Sequence, residues 1–125
     1  MNLKSFWKLR KRINMITTDK LRSYGADVDD GLVRCMNKED FYLMLVGKAL
    51  GDNRLEALEN QINKKNYDAA FETAHALKGL YANPSLTPLT KPVVEITELL
   101  RSRTDTDYSA LLAEAKAQYE KLSSL

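Results

Sequence analysis

One segment, residues 67–82, limits the possible folds more than any other part of the chain, because its apolar side chains recur at helical spacing. Steps of three, four, three and four separate Tyr67, Ala70, Ala74, Leu77 and Tyr81. This spacing places all five on one side of an α-helix and is typical of the seam between packed helices. Residues 67–82 are therefore predicted to form a helix inside a bundle.

The other segments show the same kind of spacing, and none shows the alternation of period two that predicts a strand. Further helices are expected over residues 19–24, 27–36, 38–50, 54–64 and 91–102, with a last one from Tyr108. Asn37 is the expected N-cap of the helix 38–50, and Thr90 that of the helix 91–102, which puts Pro92 in a first turn. The chain is therefore predicted to be all-α, an antiparallel helical bundle.

The charge of the chain is concentrated at its start. The net charge is only +2, yet residues 1–20 hold six basic residues and one acid, a balance of +5. Residues 1–15 are interpreted as a basic N-terminal extension in which residues 3–14 form an amphipathic helix. A packed or frayed helix is the expected state, and binding to a membrane surface or a partner is the alternative. A basic excess confined to one terminus does not predict nucleic-acid binding.

Composition excludes several other classes of function. The chain of 125 residues has one cysteine and one histidine, so it offers neither an internal disulfide nor a zinc-binding cluster. It has no glycine-rich phosphate loop, no indication of a catalytic triad and no apolar run that could span a bilayer. No small-molecule substrate or membrane role is expected, and the expected location is the cytoplasm.

The single histidine, His75, is the residue whose chemistry needs an explanation. Lys78 and Gly79 follow it at three and four positions, so a helix brings all three onto one face. A neutral imidazole is a nucleophile for an activated phosphoryl group, a nearby ammonium offsets phosphoryl charge, and a glycine leaves the imidazole uncrowded. The competing interpretation is a surface or core-edge histidine without chemistry, which is the common case for a lone histidine.

The residues Ala74-His75-Ala76-Leu77-Lys78-Gly79 resemble the histidine-containing phosphotransfer (HPt) domain of multistep phosphorelays. A second, weaker resemblance lies in residues 31–42. The resemblance implies a four-helix bundle with additional short N-terminal helices, covering residues 16–125. It implies that His75 is the phosphoacceptor. Lys78 would then offset the charge of the phosphoryl group, and Gly79 would leave space beside the imidazole.

The resemblance also implies what the chain does not do alone. HPt domains have no kinase or ATPase activity and need no cofactor, since the Mg²⁺ of such transfers belongs to the receiver domain. A glutamine that often contacts the imidazole is replaced by Thr97, which is the candidate for that contact.

The leading hypothesis is a phosphorelay intermediate, expected to be a monomer. It takes a phosphoryl group from a receiver-domain aspartate and passes it to another receiver, the partners being a hybrid histidine kinase or a response regulator. The alternative is a helical adaptor that binds such a partner without being phosphorylated.

Overall fold

The computed structural model describes residues 16–125, and within them the chain forms helices and no strand. The predicted helix over residues 3–14 lies outside the described residues. The helices are α1 Thr18–Tyr24, α2 Val28–Arg34, α3 Glu39–Leu50, α4 Arg54–Asn63, α5 Tyr67–Ala82, α6 Thr87–Arg101 and α7 Ser109–Ser123. The predicted all-α fold class is confirmed. Among the described residues, no helix combines the length and the apolar character needed to cross a membrane.

Helices α4–α7 form the four-helix bundle, and contacts between distant residues show how they run. Arg103, just after α6, pairs with Asp68 in the first turn of α5 at 2.7 Å, so α5 and α6 are antiparallel neighbours. Lys116 of α7 pairs with Glu59 of α4 at 3.1 Å, which connects the last helix of the bundle to the first.

Each helix of the bundle contributes apolar side chains to a common core. Leu58, Leu77 and Ile96 are completely buried, and Leu112 is only 4% exposed. These four residues come from α4, α5, α6 and α7 in turn. Burial of such a side chain contributes about 1.5–3 kcal/mol, so the core holds the four helices in fixed positions.

Helices α1–α3 contact the end of the bundle where α5 leads into α6. The Tyr42 hydroxyl of α3 donates to the Pro84 carbonyl at 2.9 Å. The Asp27 amide, at the start of α2, donates to the Ser85 carbonyl at 2.9 Å. A guanidinium nitrogen of Arg34 donates to the Ala82 carbonyl at 3.3 Å. The loop that ends α5 is therefore held by the N-terminal part of the chain.

The predicted start of α6 was wrong by four residues. Residue Thr90 lies inside the helix, where its amide and its hydroxyl both donate to the Leu86 carbonyl. The earlier start places Pro88 in the first turn and Pro92 inside the helix. A proline inside a helix removes one hydrogen bond. The earlier start also buries Leu89 completely, and this burial offsets that loss.

The predicted cap of α3 was wrong by one residue. The N-cap of α3 is Lys38, and its side chain makes no cap hydrogen bond. Met36 and Asn37 both have left-handed backbones, with φ of 57° and 59°. The Asn37 amide donates to the Leu32 carbonyl at 2.7 Å. Asn37 therefore closes the end of α2, because asparagine tolerates the left-handed conformation that such an end requires.

Candidate functional site

The helix that carries His75, α5, has the predicted bounds of Tyr67–Ala82. Asn66 is its N-cap, and the side-chain oxygen of Asn66 accepts a hydrogen bond from the Ala69 amide at 3.4 Å. Asp68 places a negative charge in the first turn, where the helix dipole is positive. The local sequence therefore explains where this helix begins.

The predicted seam is the buried face of α5. Ala70, Ala74, Leu77 and Tyr81 are all completely buried, and Tyr67 is partly buried. His75 follows Ala74 by one residue, and its side chain is exposed. One residue corresponds to about 100° of rotation around a helix, so His75 lies beside the packed face and is open to solvent.

The imidazole of His75 contacts one other ring. The Phe71 ring lies one turn earlier on α5, with its centroid 5.9 Å from that of the imidazole and the two planes inclined by 31°. Among the side-chain hydrogen bonds and ion pairs within residues 16–125, none involves the imidazole of His75. Both ring nitrogens are therefore open to a partner from outside the described part of the chain.

The ammonium group of Lys78 is similarly uncommitted. No ion pair or hydrogen bond between side chains of residues 16–125 includes this ammonium group, and the residue is partly buried. The pKa of Glu98 on α6 is lowered, chiefly by its hydrogen bonds with Arg101 and that residue's charge, and to a smaller extent by the charge of Lys78. Lys78 therefore adds positive potential near His75 without being neutralised by a direct pair.

Two of the helical glycines, Gly31 and Gly79, have different surroundings. A Cβ built on Gly31 would collide with the Tyr42 ring and lie 3.1 Å from the Pro84 oxygen, so packing requires this glycine. A Cβ built on Gly79 has no neighbouring atom within 4 Å, and Gly79 is exposed. A glycine inside a helix costs about 1 kcal/mol relative to alanine. Packing among the described residues therefore gives no reason for a glycine at position 79.

Thr97 is not brought to the imidazole. Its side chain is completely buried, and its hydroxyl donates to the Val93 carbonyl of its own helix at 2.7 Å. A threonine hydroxyl has a single proton to donate, and this one remains within α6. Of the four residues predicted for the site, α5 presents His75, Lys78 and Gly79 together, and Thr97 faces the core.

Two cations that the sequence interpretation missed lie beside this site. The guanidinium carbons of Arg101 and Arg103 lie 5.2 Å and 4.8 Å from the centroid of the Phe71 ring. Arg101 pairs with Glu98 at 3.2 Å and Arg103 pairs with Asp68 at 2.7 Å. The last-turn position of Arg101 indicates a favourable interaction with the helix dipole, but only the fold shows which ring it meets.

Comparison with protein families agrees with this geometry. The family model of the Hpt domain matches residues 48–125, which is 78 of the 125 residues and includes all of α4–α7. The chain belongs to the Hpt domain family. Hpt domains carry out histidine phosphotransfer in phosphorelays and work with receiver domains in two-component signalling. The searches of curated proteins and of solved structures found no match.

Proposed function

We propose that this protein is a phosphorelay intermediate that accepts a phosphoryl group on His75 from a receiver-domain aspartate and passes it to a second receiver. The observation that carries the proposal is the combination at mid-helix of an exposed imidazole and a glycine that packing does not require. Both residues lie in the part of the chain matched by the Hpt family.

The chemistry of the proposed step is a direct displacement at phosphorus. The lone pair of the unprotonated imidazole nitrogen forms an N–P bond as the O–P bond of the aspartyl phosphate breaks. The aspartate leaves as a carboxylate with the electron pair, and the second ring nitrogen keeps its proton. Lys78 offsets the charge on the phosphoryl oxygens, and positioning with charge neutralisation is most of what such a transfer needs.

The open space at Gly79 is where the receiver comes closest to α5 in this proposal. A rigid helix with a bare position one turn after the nucleophile allows a second protein to bring its aspartate to the imidazole. The chain then needs no cofactor, no ATPase and no kinase activity of its own, and the Mg²⁺ is the receiver's. In this role the chain acts as a monomer in the cytoplasm.

The test is transfer from receivers of the source organism that carry a labelled phosphoryl group. Wild type is expected to acquire a label that is stable in base and lost in acid, as a phosphoramidate is. Because His75 is the only histidine, His75→Gln removes every histidine and is expected to abolish that label while leaving the fold intact. Label on His75→Gln would refute the residue assignment. If the protein binds a receiver but acquires no label, the result would favour the alternative of a helical adaptor that is not phosphorylated.

A further inference from the structure

The ring of Phe71 occupies a central place beside His75. It contacts the imidazole from one turn away on α5, and it lies beneath two guanidinium groups that come from the end of α6 and the residues after it. Phe71 is only partly buried, so it is not simply a core residue. Within residues 16–125, Phe71 is the side chain that contacts both the imidazole and the guanidinium groups of Arg101 and Arg103.

The imidazole needs something to fix its orientation if it is to attack phosphorus in line. A misplacement on the order of 1 Å can slow a positioned reaction about a hundredfold. Hydrogen bonds usually fix a histidine ring, but within residues 16–125 no hydrogen bond reaches the imidazole of His75. The contact that remains among these residues is with the Phe71 ring, and paired aromatic rings do prefer defined geometries.

The Phe71 ring is itself held in place from α6. The Arg103 guanidinium is fixed at two points, by the Asp68 carboxylate at 2.7 Å and by the Leu100 carbonyl at 2.8 Å. Arg101 is held by Glu98 on its own helix. Guanidinium groups stack favourably on aromatic faces, so these two cations restrict the movement of the ring.

We infer that Phe71 is a positioning residue for phosphotransfer, an aromatic platform that holds the imidazole of His75 in its reactive orientation. The inference rests on the proposed function. The platform performs by ring contact what a hydrogen bond from α6 would otherwise do, because the hydroxyl of Thr97 is directed to Val93. Arg101 and Arg103 act through Phe71 and do not need to touch the phosphoryl group.

The test compares Phe71→Leu, which keeps an apolar side chain without a ring, with Phe71→Tyr, which keeps the ring. Transfer from a labelled receiver is measured as kcat and KM. Phe71→Leu is expected to lower kcat about tenfold with KM within about twofold, and Phe71→Tyr is expected to restore at least half of the wild-type kcat. A change confined to KM, or no rescue by tyrosine, would contradict the platform.

The matched control is Tyr67→Leu. Tyr67 lies one turn before Phe71 on α5 and pairs with another ring, that of Tyr108, at a centroid distance of 6.0 Å. Tyr67→Leu also removes an aromatic contact from the same helix, but it leaves the surroundings of His75 unchanged. Its kcat is expected to match wild type once thermal unfolding shows that both variants are folded. Equal losses in both variants would mean a general effect on α5.

A second measurement separates this inference from the proposed function. Three-bond NMR couplings report the χ1 rotamer of His75 without any receiver present. One rotamer is expected in wild type, Phe71→Tyr and Tyr67→Leu, and averaging over several in Phe71→Leu. Unchanged couplings in Phe71→Leu overturn the platform even if transfer is observed. Averaged couplings without transfer from any receiver support the platform and count against the relay.

Discussion

The inner and outer faces of α5 differ in whether packing explains their residues. On the inner face Ala70, Ala74, Leu77 and Tyr81 are completely buried, and helical packing explains each one. On the outer face stand His75 and Gly79, both exposed. The imidazole of His75 makes no hydrogen bond among the described residues, and packing gives no reason for a glycine at position 79. The residues of the inner face are explained by packing within the bundle, whereas contact with a partner would explain those of the outer face.

The contrast between Gly31 and Gly79 makes the same point within one residue type. Gly31 lies against Tyr42 and Pro84, in the contact that holds α2 and α3 to the end of α5. Gly79 opens onto solvent. Replacement of the first should damage the fold, and replacement of the second should damage only interactions with other molecules. Substitutions of buried and exposed residues test this division between folding and interaction with other molecules.

Leu77→Ala should have the largest effect on stability. Leu77 is completely buried on the inner face, and removal of a buried leucine side chain costs about 2–5 kcal/mol. Chemical denaturation should show this loss, while folded molecules keep their rate of phosphotransfer. Glu72→Ala, on the exposed side of the same helix, is the control and should change stability by less than about 0.5 kcal/mol. Similar values for the two variants would contradict the division.

Two buried tyrosines at the end of α5 provide a matched pair. The Tyr42 hydroxyl donates to Pro84, whereas the Tyr81 hydroxyl has no partner among the described residues. Tyr42→Phe leaves a buried carbonyl without a donor, which should lower the free energy of unfolding by about 1–3 kcal/mol. Tyr81→Phe removes an unpaired group and should leave stability unchanged or raise it. The reverse order in urea unfolding would refute this assignment.

Tyr42 also predicts how the stability of the fold depends on pH at high pH. Burial raises the pKa of Tyr42 to about 12 from its ordinary value of 10.0. The fold therefore favours the neutral phenol, and that contribution is complete below pH 10 and is lost as the pH rises towards 12. Tyr42→Phe should lack this part of the decline. Unfolding free energies measured from pH 8 to 12 for both proteins would show the difference.

Lys78→Ala should slow phosphotransfer without unfolding the bundle. Loss of one unpaired cation beside the developing phosphoryl charge should lower kcat/KM about tenfold, and the difference from wild type should shrink at high salt. Lys64→Ala, at the exposed end of α4, is the control for the loss of one positive charge and should transfer normally. An unchanged rate in Lys78→Ala would remove this lysine from the mechanism.

Gly79→Ala should have the smallest effect on stability, and it should stabilise the fold instead of destabilising it. The added methyl group enters open space and alanine favours helices, so the unfolding free energy should rise by up to about 1 kcal/mol. Gly31→Ala, the control, should lower it because its Cβ meets the Tyr42 ring. A larger side chain in Gly79→Leu should raise KM for the phosphorylated receiver. A normal KM for Gly79→Leu would show that the receiver does not approach this position.

Local patterns in the sequence predicted more of the fold than of the site. The start of α1 follows a local rule, since the Thr17 side chain caps it by accepting a hydrogen bond from the Lys20 amide at 3.1 Å. Its end follows another, because Gly25 adopts the left-handed conformation with φ of 112°. These features depend on residues close together in sequence. The start of α6 was predicted wrongly because Leu89 gains its burial from the rest of the bundle, which no local rule includes.

The sequence by itself determined the helix 67–82, its buried seam and the position of His75 beside that seam. Helical periodicity is a local property, so reading the spacing of apolar residues is enough. Only the tertiary structure decided that Thr97 faces the core and that Arg101 and Arg103 meet the Phe71 ring. The contacts of Phe71 with the two arginines join residues about thirty positions apart, and they exist only because α6 packs antiparallel against α5.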